Sequence, residues 1–450
     1  MAGVSDARET FKILDLALRV GEILLSSGAG AADVTATMLG LTRHLGLPNA
    51  DIDVTFTLLR MSYQADPEEP PVLLTRNVAQ RDIDYDDLTR VQGLVNDVMR
   101  DRVDVSEARR RVAWINSTDH YLPAWSSVVG SGVVGAGIAL LLDGDALVTS
   151  VAFLAGVAIT VLMRTLNRQQ WPMFYQQAAG GFLATALALA AAVVAERAGL
   201  GVDVSLVVTA NIVMLLSGIG FMGAIQDALS GFYLTAGARI IEAMLATAGL
   251  IAGVSAGLAL APGLGISTVG LRPGSIELAE PPLVLVGAVV AACAFAFTSY
   301  APLRALPAIA MSTVAGHLGY LAVLDPRDAR PWAAAVAAVI IGLLSYAVAG
   351  RVRVPPLVVV VPALVPMLPG LTIFRGLSYM SDGDTLGILQ LSAAAATTIA
   401  LAAGVILGEY VAQPVRRNAR RLEDRLAGPR MVGVMHGHLA RRTRGTSAGA

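Results

Sequence analysis

A stretch of 289 residues, 123–411, carries only 24 charged side chains, 11 Arg and 13 Asp or Glu. A soluble chain of average composition carries about a quarter of its residues as charges. The flanking segments are more charged: residues 1–122 hold 13 Lys or Arg and 19 Asp or Glu, and residues 412–450 hold nine Arg and two acidic residues. This distribution excludes an ordinary soluble protein. It predicts an integral membrane protein with a soluble amino-terminal domain and a basic tail.

Ten segments of the middle region are apolar enough to cross a bilayer, since a spanning helix needs roughly 20 mostly apolar residues. They are 124–142, 146–164, 173–195, 204–226, 236–261, 282–300, 306–324, 332–350, 355–377 and 386–410. If residues 1–122 lie inside and successive spans cross the membrane in alternating directions, most of the loop arginines lie inside and most of the loop carboxylates lie outside. This positive-inside pattern predicts ten spans in the plasma membrane, with both termini cytoplasmic.

The amino-terminal segment 1–122 is predicted to form a small cytoplasmic α/β domain. Apolar residues recur at helical spacing in 11–25, 34–45, 88–98 and 105–115. The strict alternation of polar and apolar residues over 51–58 predicts a half-buried strand, and 71–75 a second strand. The remaining predicted boundaries are a first membrane half at 123–262, a linker at 263–281, a second half at 282–411 and a basic cytoplasmic tail at 412–450.

The two membrane halves show a weak internal repeat. A shift of 152 residues places 211–221 on 363–373 and Ser230-Gly231 on Asp382-Gly383. Each half has five predicted spans, and because five is odd, the two halves must have opposite orientations in the membrane. The predicted fold class is therefore an all-α polytopic membrane protein with two inverted five-helix repeats and a small α/β domain. Inverted repeats are typical of secondary transporters, which bind substrate at broken helices near the bilayer midplane.

The fourth span of each half is the candidate broken helix. Prolines interrupt the second-half span, and each proline removes an intrahelical hydrogen bond and clashes with the preceding turn. The first-half equivalent, Ser217-Gly218, is a milder interruption. Backbone groups released at such breaks become available to a ligand, so these positions are candidate substrate-binding residues. The candidates are Asn211, Ser217, Gly218, Pro366, Pro369, Gly370 and Arg375.

Four polar residues within the spans each admit two interpretations. Glu242 is a candidate proton carrier, because a carboxylate in a span is costly and faces a cavity or a partner; alternatively it pairs with Arg239, three residues earlier. Asp227 is a second candidate proton carrier or a helix-end cap. Asn211 either binds substrate or joins helices. Arg375 either holds a carboxylate in bidentate fashion or extends its guanidinium to the outer interface.

Enzyme signatures are absent from the sequence. It contains no P-loop or HExxH motif, and its only cysteine is Cys293. We therefore expect no enzymatic activity, no catalytic residues, no metal, no cofactor and no nucleic-acid partner. The expected partners are membrane lipid, a small-molecule substrate and protons, and a homo-oligomer is left open.

Several motifs together resemble the threonine/serine exporters of the ThrE type. They are Gly-Glu-Ile-Leu-Leu-Ser-Ser-Gly-Ala-Gly at 21–30, Asp-Ala-Leu-Ser-Gly at 227–231, Ala-Arg-Ile-Ile-Glu-Ala at 238–243 and Pro-Ala-Leu-Val-Pro-Met-Leu-Pro-Gly at 362–370. The resemblance covers most of the chain. It implies a cytosolic domain followed by two five-helix halves in a bacterial plasma membrane. It also implies export of threonine and serine driven by the proton motive force.

Two other functions stay open at the level of the sequence. Split relatives of this family are linked to dicarboxylate export, which requires a more basic cavity than Arg375 alone provides. A membrane-anchored sensor or scaffold, with the amino-terminal domain as its working part, would not need broken helices in both halves.

Overall fold

The computed structural model describes residues 2–78, 82–118, 120–199, 203–216, 218–264, 281–324, 330–381 and 383–426. The candidate Ser217, most of the predicted linker and the end of the basic tail lie outside these ranges. The amino-terminal domain contains α1 (Ala2–Ser26), α2 (Ala31–His44), β1 (Asp51–Thr55), β2 (Leu58–Tyr63), β3 (Val72–Asn77), α3 (Tyr85–Val98) and α4 (Val105–Ser117).

The three strands form an antiparallel sheet in the order β1-β2-β3. The predicted strand over 51–58 is wrong at its carboxyl end, because the chain turns back at Phe56 and Thr57 and pairs Thr55 with Leu58. The turn lacks the Gly, Asn or Asp typical of a two-residue hairpin, and Phe56 adopts a left-handed φ of 55°. Phe56 and Thr57 therefore carry no local sequence signal for a hairpin turn that leads into β2.

The membrane region follows as two sets of helices. The first half contains α5 (Ala124–Leu141), α6 (Ala146–Arg168), α7 (Met173–Arg197), α8 (Val204–Leu215), α9 (Gly218–Leu229) and α10 (Tyr233–Leu258). The second half contains α11 (Pro281–Thr298), α12 (Leu306–Val323), α13 (Arg330–Val352), α14 (Leu357–Leu364), a 3-10 turn (Val365–Met367), α15 (Gly370–Ser381) and α16 (Leu386–Leu426). Each of the ten predicted apolar segments coincides with one of these helices or with a broken pair.

Seven helical segments in the described part of the chain are long and apolar enough to span a membrane. The pair α14–α15, which bends by 45° at its break, makes eight if it is taken as one span. Two shorter apolar helices, Trp125–Leu141 and Pro282–Thr298, occupy the first position of each half. The mostly helical fold with several membrane spans is confirmed, and the count of ten remains a prediction.

The first helices of the two halves, α5 and α11, pack together at glycines. A β-carbon added at Gly137 would lie 2.7 Å from the Ala291 backbone nitrogen, and one added at Gly287 would lie 2.5 Å from the Leu141 nitrogen. Residues with higher numbers in α5 contact residues with lower numbers in α11, so the two helices are antiparallel. Small residues at these positions let the backbones approach closely.

The third and fifth helices of each half also pack through glycine. In the first half, a β-carbon at Gly253 of α10 would lie 2.0 Å from the Ala178 carbonyl oxygen of α7. In the second half, a β-carbon at Gly404 of α16 would lie 2.7 Å from the Ala335 carbonyl oxygen of α13. Both halves therefore use the same helix pair for close backbone contact.

Candidate functional site

Both predicted breaks are present, and one leucine in each break has the same backbone conformation. Helix α8 ends at Leu215, and Leu216 is extended with φ −68° and ψ 134°. In the second half, Leu368 is extended with φ −64° and ψ 136°. Helices α9 and α15 begin two residues after these leucines, at Gly218 and Gly370. The shift of 152 residues read from the sequence superimposes both the extended leucines and the helix starts.

The two breaks contact each other. A β-carbon added at Gly218 would lie 3.1 Å from Leu368 Cβ and 3.7 Å from Gly370 Cα. Reciprocally, a β-carbon added at Gly370 would lie 2.9 Å from Leu216 Cβ. The amino-terminal ends of α9 and α15 therefore converge, and the partial positive charges of two helix dipoles meet at one place.

Asn211 is fully buried in α8, just over one turn before the break. Its Nδ2 donates a 2.9 Å hydrogen bond to the Val207 carbonyl oxygen of the same helix. Its Oδ1 is buried and has no hydrogen-bond partner among the described residues. A buried acceptor without a partner is costly, so this oxygen is suited to bind a donor on a ligand.

The remaining predicted binding residues lie along the second-half break. Pro366 is in the 3-10 turn, half-buried, and Pro369 is buried directly before α15. Arg375 lies half-buried in α15, five residues after Gly370. These residues share the broken span, and the structure does not test their role in binding.

Asp227 connects two parts of the protein. Its Oδ2 accepts a 2.6 Å hydrogen bond from Arg239 Nη1, and the Asp227 side chain is only 1% exposed. Its Oδ1 accepts a 2.9 Å hydrogen bond from the Ala31 backbone nitrogen, the first residue of α2 in the amino-terminal domain. The sequence-based alternatives for Asp227 did not include this contact, because its partner lies 196 residues away.

The first turn of α10, close to Asp227, also bonds the turn between β1 and β2. Thr235 of α10 accepts a 3.0 Å hydrogen bond on Oγ1 from the Phe56 nitrogen. Its hydroxyl donates to the Val54 carbonyl oxygen at 3.2 Å. Asp227, Thr235 and Arg239 thus form a docking corner, the α9–α10 corner, for the amino-terminal domain.

A second corner, between α11 and α12 in the other half, contacts the start of α3. The Tyr85 nitrogen donates a 2.9 Å hydrogen bond to the Ser299 carbonyl oxygen. The His120 ring stacks on the Tyr300 ring with centroids 4.1 Å apart. The amino-terminal domain therefore touches both membrane halves.

Next to this contact, Asp84, Asp87 and His120 place donor atoms within 4.8 Å of one another. Asp84 caps α3 by accepting hydrogen bonds from the Asp86 and Asp87 nitrogens, and its carboxylate lies 3.2 Å from His120 Nε2. Burial and the neighbouring Asp84 raise the pKa of Asp87 to about 6. The donor set is compatible with a cation, but the helix cap and the His120 contact account for it equally well. These three residues form no recognisable motif in the sequence.

Many apolar helices, paired helix breaks and a docked α/β domain define a polytopic membrane protein of the transporter class. The family model described as "Putative threonine/serine exporter" matches residues 15–261, and the model described as "Threonine/Serine exporter, ThrE" matches residues 284–411. The chain belongs to the threonine/serine exporter family, which confirms the resemblance.

Two curated relatives cover nearly the whole chain. The "Probable threonine/serine exporter" of Mycobacterium tuberculosis is 34% identical over 441 residues, which are 95% of this chain and 82% of the relative. The "Threonine/serine exporter" of Corynebacterium glutamicum is 30% identical over 428 residues, 93% of this chain and 86% of the relative. No solved structure matches the chain. Relatives named as exporters fit a non-enzymatic protein of a bacterial plasma membrane.

Proposed function

We propose that the protein is a secondary active transporter that exports threonine and serine across the bacterial plasma membrane, coupled to the proton motive force. The observation that carries this proposal is the reciprocal contact between the breaks at Leu216–Gly218 and Leu368–Gly370. Transporters built from repeats bind substrate where discontinuous helices of the two repeats meet. The names of both curated relatives supply the substrate class.

The inverted-repeat arrangement is part of the proposal. Helices α5 and α11 are each the first helix of their half, and their contacts at glycine show that the two helices are antiparallel. Two halves related by inversion place equivalent helices antiparallel. The ten-span topology then follows if the short helices α5 and α11 cross the membrane.

The docking contacts support a cytoplasmic amino-terminal domain. The amino-terminal domain contacts the α9–α10 corner at Asp227 and the α11–α12 corner at Ser299. Both corners are connections that the positive-inside pattern assigns to the inside. Charge distribution and docking are independent observations, and they agree on one side of the membrane for residues 1–122.

For substrate binding, the converging starts of α9 and α15 are suited to the carboxylate of an amino acid, because helix amino termini offer N–H donors and a partial positive charge. The Oδ1 atom of Asn211 is suited to accept a hydrogen bond from the ammonium or hydroxyl group. Arg375, five residues after Gly370 in α15, is proposed to pair with the same carboxylate. Alternating access then comes from rocking one half against the other.

For proton coupling, Glu242 and Asp227 are the two predicted carriers. Asp227 is engaged by Arg239 and by the Ala31 nitrogen, so its protonation would disturb docking as well as transport. Glu242 is half-buried in α10, three residues after Arg239. A carboxylate at this position is suited to take up and release a proton during the cycle.

The test is counterflow of radiolabelled serine, threonine or succinate into proteoliposomes, each with and without a pH gradient. We expect counterflow of both amino acids and stimulation by the gradient. Counterflow of succinate alone would refute the substrate class. Wild-type rates and pH dependence in Glu242→Gln would refute the proton role, and the matched control is Glu196→Gln, an acid in the last turn of α7.

A further inference from the structure

The amino-terminal domain bridges the two membrane halves. In the first half it is held at the α9–α10 corner through Asp227 and Thr235. In the second half it is held at the α11–α12 corner through Ser299 and Tyr300. A rigid domain bonded to both halves resists their relative movement. One of the two sets of contacts must therefore loosen when the halves rock.

The contact at the α9–α10 corner contains an electrostatic conflict. Asp33 lies in the first turn of α2, two residues after the Ala31 nitrogen that donates to Asp227. A β-carbon added at Gly30 would lie 3.5 Å from Asp227 Oδ1 and 4.0 Å from Asp33 Oδ2, so both carboxylates lie on the same side of this loop.

Charged groups from several elements face this position. Asp227 of α9 and Glu409 of α16 both repel the Asp33 carboxylate. Arg239 of α10 is bonded to Asp227, and Glu409 accepts a hydrogen bond from the Tyr346 hydroxyl of α13. Docking thus brings one acid of the amino-terminal domain against an acid from each membrane half, with the arginine bonded to only one of them.

Asp33 is also able to exchange protons with water. Asp33 is exposed at the surface of the described structure, and atoms of the surrounding protein partly desolvate its carboxylate. This desolvation, together with repulsion from Glu409 and Asp227, raises the pKa of Asp33 to about 6. The group is therefore ionised at neutral pH, when repulsion opposes docking, and becomes neutral on mild acidification.

We propose that the amino-terminal domain is a pH-sensitive brace, whose grip on the α9–α10 corner tightens when Asp33 is protonated and loosens when it is ionised. The sign follows from linkage. A carboxyl whose pKa is higher in the docked state than in the undocked state binds its proton more tightly when docked, so acidification favours docking. With a docked pKa of about 6 and an undocked value of about 3.9, the ratio of docked to undocked forms rises about fourfold from pH 7.5 to pH 5.5.

Amide hydrogen exchange of the full-length protein in lipid nanodiscs measures docking directly, because the Ala31 amide is one of the docking donors. The peptide covering residues 28–36 is compared at pH 5.5 and pH 7.5 after correction for intrinsic exchange rates. We expect about fourfold greater protection at the lower pH. Asp33→Asn is expected to show high protection at both pH values.

Two further variants make the test specific. Asp51→Asn, at the exposed start of β1, removes the same charge away from the corner and is expected to keep the wild-type response. Glu409→Gln removes one repelling charge and is expected to raise protection at pH 7.5. A fourfold response retained in Asp33→Asn, or wild-type protection that falls on acidification, would overturn the brace.

The regulatory consequence rests on the proposed transport function, whereas docking does not. If the brace limits rocking, Asp33→Asn slows serine counterflow at pH 7.5 relative to Asp51→Asn. A pH-dependent exchange signal without any counterflow would retain the brace and refute the exporter. Counterflow with the same pH profile in wild type and Asp33→Asn would retain the exporter and refute the brace.

Discussion

Replacing Gly370 with alanine adds one methyl group at the contact between the two breaks. The new β-carbon would lie 2.9 Å from Leu216 Cβ and 3.2 Å from Leu216 Cδ1, whereas carbon atoms pack best at about 3.5–4.0 Å. Because Leu216 Cβ is bonded directly to the backbone, a side-chain rotation cannot relieve the closest contact. The breaks must therefore move apart by several tenths of an ångström.

Overpacking of this kind costs about 1–3 kcal/mol. At 1.36 kcal/mol for each factor of ten, this corresponds to a loss of about 5- to 160-fold in the population of the close-packed state. Gly218→Ala meets Leu368 Cβ at 3.1 Å, so its effect should be smaller but in the same direction. Gly237→Ala in α10 meets nothing within 4 Å and is the matched control.

Serine counterflow in proteoliposomes, normalised to the amount of reconstituted protein, measures the effect on transport. We expect the rates to fall in the order Gly237→Ala, Gly218→Ala, Gly370→Ala, with the last at least fivefold below wild type. Thermal unfolding in detergent separates this effect from loss of fold. Equal rates for Gly370→Ala and Gly237→Ala would show that the contact between the breaks is not needed for transport.

Two other predictions concern the docking corner. Asp227→Ala removes the carboxylate that pairs with the Arg239 guanidinium, which is 11% exposed, and should destabilise the protein by about 3–5 kcal/mol. In thermal unfolding, the double variant with Arg239→Ala should recover part of this loss. Simple additivity of the two single substitutions would contradict a direct ion pair. Thr235→Val removes the hydroxyl that bonds Phe56 and Val54 and should weaken docking by about 1–3 kcal/mol. The expected readout is faster amide hydrogen exchange at residues 54–58. The control is Thr397→Val, whose hydroxyl bonds only within α16 among the described contacts and which should leave that exchange unchanged.

The sequence predicted the helices of the membrane region and both breaks because the responsible signals are local. Runs of apolar residues mark the helices, and Pro369-Gly370 marks a backbone that cannot continue as a helix. The shift of 152 residues places Gly218 opposite Gly370, and in the structure each glycine contacts the extended leucine of the other break. A helix break of this kind can be predicted because a single residue type, such as proline or glycine, indicates it.

The docking of the amino-terminal domain could not be predicted in the same way. Asp227 is indistinguishable in sequence from an ordinary helix-end cap, because its partner at Ala31 offers only a backbone nitrogen. The turn at Phe56 adopts a conformation that its residue types disfavour, and Thr235 of a distant helix bonds it. Contacts between a side chain and a remote backbone leave no pattern in the sequence.

If the paired first helices, α5 and α11, cross the membrane as proposed, they also determine how the protein fits its lipid environment. Each has an apolar segment of about 17 residues, which spans about 26 Å at 1.5 Å per residue, whereas a typical hydrocarbon core is about 30 Å thick. Val129 and Val286 on this pair are exposed, so lipid chains would have to compress beside it. Hydrophobic mismatch of this size costs fractions of a kcal/mol per ångström. The thickness of the bilayer therefore becomes a physical variable that acts on the interface between the two halves.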